Sequence, residues 1–269
     1  MRTFDRILQP NKESEPEKPL DRIVSGGGFA SVFRTVAVIG DSLSAGDMET
    51  MGKANPRDFH DLYGISWPAY YAAMTGATVY NFSRGNMTAS EYCDSYADAM
   101  GYWDKSKAAM AYIIALGCND LDEFKQPAGD LGDIHADCSL NNATFAGHYS
   151  KVIQSYKDVQ PDAAFFLVTI PRDLEELEKP EFAANHDRHR ELLYSLADKF
   201  TNTYVIDLRE YAPFYGDDFR KAFFVGGHMN SQGYYLTAKM ICSFIDYIVR
   251  HNPDKLRLAG YAGTGLSYV

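Results

Sequence analysis

Five short apolar runs recur along this chain, each separated from the next by a stretch with helical periodicity. That alternation constrains the fold more than any other feature. The runs cover residues 35–39, 77–82, 109–116, 163–170 and 203–208, and helical patterns cover residues 67–75, 88–100, 145–159, 180–200 and 231–251. The third run is apolar at successive positions, so both of its faces are expected to be buried. Strands of that kind belong to parallel sheets covered on either side by crossover helices. The expected fold is therefore α/β: three layers, with a five-stranded parallel sheet between helices on both faces. In open sheets of this type ligands gather beyond the carboxyl ends of the strands. Attention falls on residues 40–42, 83–86 and 117–120.

The globular domain is expected over residues 35–251. Residues 1–34 form a charged extension punctuated by proline and ending in Gly26-Gly27-Gly28, and residues 252–269 form a C-terminal tail. One connection breaks the rhythm: residues 120–142 are polar, rich in Gly and Asp, and long. Loops of that length are usually functional, so a lid over the strand ends is expected there.

Lys plus Arg total 26 against 36 for Asp plus Glu, giving a net charge of −10. A protein that binds nucleic acid needs a cationic footprint, and no Lys/Arg run supplies one. No apolar stretch reaches the roughly 18 residues of a membrane span, and the N-terminus lacks the apolar core of a secretory signal. A cytoplasmic location is expected. Cys93, Cys118, Cys138 and Cys242 are scattered and form no metal or redox motif. No metal or organic cofactor is expected, and the oligomeric state is not legible.

The chemistry concentrates at the strand ends. Gly40 precedes Ser42, and the small residues Ser44-Ala45-Gly46 follow it, which permits a tight turn that exposes a hydroxyl. Gly85 and Asn119 lie beyond two other strands. His228, in Gly226-Gly227-His228-Met229-Asn230, precedes the last helix, where a base can reach back over the sheet edge. A serine attacking a carbonyl needs a base for its proton, and the tetrahedral intermediate needs fixed donors for its oxyanion. The candidate donors are the Ser42 and Gly85 N–H groups and the Asn119 side-chain amide.

Gly40-Asp41-Ser42-Leu43, Gly85 within residues 81–86, Gly117-Cys118-Asn119-Asp120, and His228 before the helix with Gly233 occur in the order of the four blocks of the GDSL, or SGNH, hydrolases. Over residues 35–250 the chain resembles that family of lipases, esterases and acylhydrolases. The resemblance implies a flavodoxin-like fold and a carboxylic-ester hydrolase acting through an acyl-Ser42 intermediate, with His228 as base. The substrate it implies is a small ester. A short acyl group such as acetyl on a carbohydrate is favoured by the polar loop and the missing membrane anchor. A catalytically silent binding protein of the same fold and an acyltransferase are the alternatives.

There is one departure. The family places an aspartate three residues before the histidine, where this chain has Val225. An orienting group fixes the imidazole tautomer and stabilises imidazolium. The backbone carbonyl in the Val225 turn is the first candidate for that part, Asp218 or Asp217 the second, and Asp207 the third.

Other features have plainer readings. Asp41 and Asp120 are expected to fix turns, and Arg84 to form a salt bridge at the site rim. His186 and His189 are expected on a solvated helix face rather than at a metal, and His60 and Asp61 in a loop. Tyr63, Trp67, Tyr70 and Tyr71 are expected to be mainly core, with a sugar platform as the alternative. Residues 46–53 miss the phosphate-loop spacing, and Ser42 is not in a G-x-S-x-G elbow because Ser44 occupies the final glycine position. Asn81, Asn86 and Asn142 begin glycosylation sequons that matter only in a secreted chain.

Overall fold

The computed structural model of the protein describes residues 16–50, 58–253 and 256. The five apolar runs form one parallel sheet: β1 (Thr35–Gly40), β2 (Thr78–Asn81), β3 (Ala111–Ala115), β4 (Ala164–Val168) and β5 (Thr203–Ile206), in the order β2-β1-β3-β4-β5. β1 lies between β2 and β3, so connections leave it in opposite directions. The crevice beyond the β1 and β3 ends is therefore the topological switch point, where ligands bind in such sheets.

Alternation along the strands divides the core in two. Val36, Val38, Ala111, Ile113 and Phe166 face α1 (Trp67–Thr75) and the final helix. Ala37, Ile39, Tyr112, Ile114 and Phe165 face α2 (Phe145–Val159) and α3 (Pro180–Lys199). Successive side chains on a strand point to opposite faces, so a doubly apolar strand supplies both layers. The final helix, α4 (Ser231–His251), starts where Asn230 Oδ1 accepts the Gln232 and Gly233 N–H groups, each at 3.0 Å. That cap fixes the chain two residues beyond His228.

Residues 16–33 lie along α4. Val24 N–H donates to Ser243 Oγ and Phe29 N–H to Asp246 Oδ1, Arg250 forks onto Glu17, and Phe33 is fully buried. Two short antiparallel ribbons were not anticipated. One pairs Asp47–Thr50 with Asp58–Asp61, and the other pairs Phe224–Val225 with His228–Met229. His60 and Asp61 thus lie in a strand, not a loop. Among the described residues no helix is long and apolar enough to cross a membrane.

Candidate active site

β1 ends at Gly40, and the chain passes through Asp41 into the single helical turn Ser42–Ala45. A Cβ on Gly40 would lie 2.3 Å from Ser44 Oγ, so only glycine admits this turn. Asp41 Oδ1 accepts the Leu43 N–H at 3.0 Å. Ser44 anchors the turn from behind. Its hydroxyl accepts from Trp67 Nε1 at 3.2 Å, and its carbonyl accepts from Asn81 Nδ2 at 2.8 Å. Ser42 is half-buried, and its hydroxyl and N–H carry no hydrogen bond among the described residues.

Two further donors sit beyond neighbouring strands. The Gly85 N–H also has no partner among the described residues. Asn119 opens the helical turn Asn119–Glu123 after β3 and donates one amide hydrogen to the Met87 carbonyl at 3.1 Å. That bond fixes the amide plane and leaves the second N–H available. Asp120, next in sequence, is fully buried and accepts the Ala89 N–H at 2.9 Å, tying this turn to the segment after β2.

The strand bearing His228 packs against the Ser42–Ala45 turn. The imidazole and the Ser42 hydroxyl are not hydrogen-bonded, a looseness common before substrate binds. The other side of the ring is firmly held: His228 Nδ1 meets Glu49 Oε1 at 2.8 Å. Glu49 is 4% exposed, and the same oxygen accepts the Gly227 N–H at 2.7 Å. None of the orienting groups expected from sequence occupies this place. Val225 pairs with His228 across the hairpin, and no bond joins its carbonyl to Nδ1. Asp217 and Asp218 are exposed at the start of the helix Asp217–Phe223, where Asp218 faces Lys221. Asp207 is buried under β5 and bonds to Arg190, Tyr194 and Thr169. In sequence, residues 46–53 read only as a failed phosphate loop, which does not single out Glu49. The available signal was alternation over Asp47–Thr50, which places Asp47 and Glu49 on one face.

The surroundings are rich in buried carboxyl groups. Burial pushes the Asp41 carboxyl up to about 6, with the Leu43 N–H and nearby His228 pulling the other way. Burial pushes Asp120 up to about 7. Asp47 is also raised, by burial and by its hydrogen bond to the Asp61 carboxyl.

A cavity of about 320 Å³ opens beside these groups. Its lining includes the neighbours of Ser42 and of His228 (Asp41, Leu43, Gly227 and Met229), together with Asn119. Val168, Leu208 and Ile241 give it an apolar floor, whereas Glu123, Glu175 and Lys179 form a polar rim. Of the long connection expected to be a lid, only Asp122 and Glu123 line this cavity. The rest folds down on the start of α2, where Thr144 donates to Asp133 and Asn141 to Gln154.

His186 and His189 do not face solvent: they are 3% and 1% exposed. His186 bridges two buried carboxylates, Asp122 at 2.6 Å and Glu176 at 2.5 Å, and Arg209 also binds Glu176. His189 meets the Leu116 carbonyl, and burial lowers its pKa to about 4. Among the described residues, no three His, Cys, Asp or Glu side chains are grouped to hold a metal ion. Trp67 and Tyr71 are core residues, while Tyr63 is exposed. Arg84 pairs with Glu91 at 2.6 Å.

The sequence of residues 38–236 matches the family model described as the GDSL-like lipase/acylhydrolase family. No curated protein matches the chain in sequence. Among the solved structures that share its fold are the following three. One is a family two carbohydrate esterase from Clostridium thermocellum in complex with cellohexaose, with TM-score 0.58 and 18% identity over 80% of this chain. This chain covers 64% of that esterase, so it spans just under two thirds of that protein's length. The second is a carbohydrate esterase family 2 enzyme with a carbohydrate-binding domain from Corynascus thermopiles. Its TM-score is 0.54 and its identity 16%, over 80% of this chain and 66% of that one. The third is a Lactobacillus plantarum protein, with TM-score 0.59 and 16% identity over 80% of this chain and 97% of that one. At these identities the likeness is one of fold.

Proposed function

Since the chain belongs to the GDSL-like lipase/acylhydrolase family and is a carboxylic-ester hydrolase, we propose that Ser42 is its nucleophile and His228 its general base. One observation carries this reading: the fold packs a serine against an imidazole bonded through Nδ1, beside the Ser42, Gly85 and Asn119 N–H groups, and among the described residues the serine hydroxyl, Nε2 and one N–H of each donor have no hydrogen bond. Ser42 Oγ attacks the ester carbonyl carbon while His228 Nε2 takes its proton. The carbonyl oxygen becomes an oxyanion that receives hydrogen bonds from the Ser42 and Gly85 N–H groups and the Asn119 amide. Collapse breaks the ester C–O bond, and the proton on Nε2 passes to the departing alkoxide. Water then attacks the acyl-serine and gives its proton to Nε2. The acid leaves, and the proton returns to Ser42.

The substrate in this proposal is a small ester, of which an acetylated carbohydrate is the preferred class. The cavity is at the small end of the range for small-molecule sites. Its apolar floor suits an acyl methyl, and its charged rim suits the hydroxyls of a sugar. The two fold relatives described as carbohydrate esterases agree with that class. The test is hydrolysis of acetylated sugars alongside p-nitrophenyl esters of rising chain length. Acetyl esters should be turned over fastest, with Ser42→Ala and His228→Ala at least about 10³-fold slower. Full activity in Ser42→Ala would refute the nucleophile, and preference for long acyl chains would refute the substrate class. An acyl acceptor that outcompetes water would make the protein an acyltransferase.

A further inference from the structure

We infer that Glu49 is the positioning residue for His228, supplied from the ribbon that follows the nucleophile rather than from the position occupied by Val225; the inference rests on the serine–histidine reading above. The carboxylate is buried, and its Oε1 meets His228 Nδ1 at 2.8 Å. An ionised carboxylate only accepts hydrogen bonds. The contact therefore places a proton on Nδ1 and leaves the lone pair on Nε2, the tautomer a general base requires. When Nε2 takes the serine proton, the resulting imidazolium has a fixed negative charge beside it.

The surrounding chain is shaped around this carboxylate. Gly227 N–H donates to the same Oε1 at 2.7 Å, which fixes the carboxylate's direction. A Cβ on Gly226, whose φ is +66°, would lie 2.1 Å from Glu49 Oε2, and one on Gly227 would lie 2.9 Å from Oε1. A side chain at either glycine would press on the Glu49 carboxylate, and the φ of Gly226 itself favours glycine. The opposite strand contributes as well: Phe59 pairs with Glu49 in register, and its ring meets the His228 ring edge-on at 5.7 Å. One ribbon therefore holds the imidazole by a hydrogen bond and by packing. Because that ribbon follows the Ser42–Ala45 turn after one residue, Gly46, the nucleophile and the orienting acid are set by the same local structure.

The experiment pairs steady-state kinetics on p-nitrophenyl acetate with ¹⁵N NMR of histidine-labelled protein, using Glu49→Ala and Glu49→Gln. Kinetics should show kcat falling by about 10²- to 10⁴-fold in Glu49→Ala, with KM changed less than about threefold. NMR should show His228 as the Nδ1–H tautomer in the unmodified protein and the Nε2–H tautomer appearing in Glu49→Ala. Glu49→Gln keeps the side-chain shape, so its kcat loss isolates the charge should the alanine variant fold poorly. Retention of a pure Nδ1–H tautomer in Glu49→Ala, or a kcat within about threefold of the unmodified protein in both variants, overturns the assignment. Ser42→Ala in the same assay keeps the two ideas apart. Undiminished hydrolysis there defeats the serine mechanism, whereas the tautomer reports on Glu49 in either case.

Discussion

The Asn119 amide has two N–H bonds, and the Met87 carbonyl engages one of them. That asymmetry makes a specific prediction. A donor aimed at an oxyanion acts in the transition state and contributes little to binding the ground-state ester. Asn119→Ala should therefore lower kcat by about 10²- to 10³-fold and leave KM nearly unchanged. Steady-state kinetics check it; a rise in KM at constant kcat would make Asn119 a binding residue instead. Ser42, Gly85, Asn119 and His228 stand out in sequence as candidates because each sits at the end of a strand or before a helix in a recognisable block. Glu49 does not. Its partner lies 179 residues away, and no local pattern records a contact between a short surface ribbon and a distant hairpin. The same limit hid His186: residues 186–189 look like a solvated charged face until the turn carrying Asp122 is laid against them.

At the level of elements, the His186 bridge explains why the turn bearing Asn119 is held in place. Asp122 belongs to that turn, His186 to α3, and Glu176 to the short helix Glu175–Glu178, so one imidazole joins three segments. With a carboxylate at each ring nitrogen, both nitrogens must donate, and the bridge is complete only as imidazolium. Burial alone would lower the His186 pKa, but the hydrogen bonds and charges of Asp122 and Glu176 raise it on balance. A pKa raised by folding contributes stability that is fully present below the unfolded value of about 6.5. That stability is lost as the pH climbs through the folded value. His186→Gln should thus cost ~3–5 kcal/mol near pH 6, because the buried Asp122 carboxylate loses the cation beside it while Glu176 keeps only Arg209. The gap in melting temperature to the unmodified protein should narrow toward pH 9. A gap that stays constant across that range would contradict the imidazolium bridge.

For the whole molecule, the parallel sheet was readable because its strands are apolar on both faces, a pattern few other architectures tolerate. Strand limits shifted inward by a residue or two where runs continue past the ladder, as at Leu116 and Ile170. The long connection after β3 was misread as a lid because length alone does not say which way a loop folds. Hydrogen bonds from Thr144 and Asn141 turn it down onto α2 instead of over the cavity. What the fold achieves is convergence at the switch point between β1 and β3. The central claim is that Ser42, assisted by His228, is a nucleophile there, and covalent labelling tests it most directly. After treatment with a fluorophosphonate at pH 8, peptide mass spectrometry should find the adduct on Ser42 in the unmodified protein and at least about 10²-fold slower labelling in His228→Ala. An adduct on another residue, or equal labelling of Ser42 with and without the imidazole, would contradict the account.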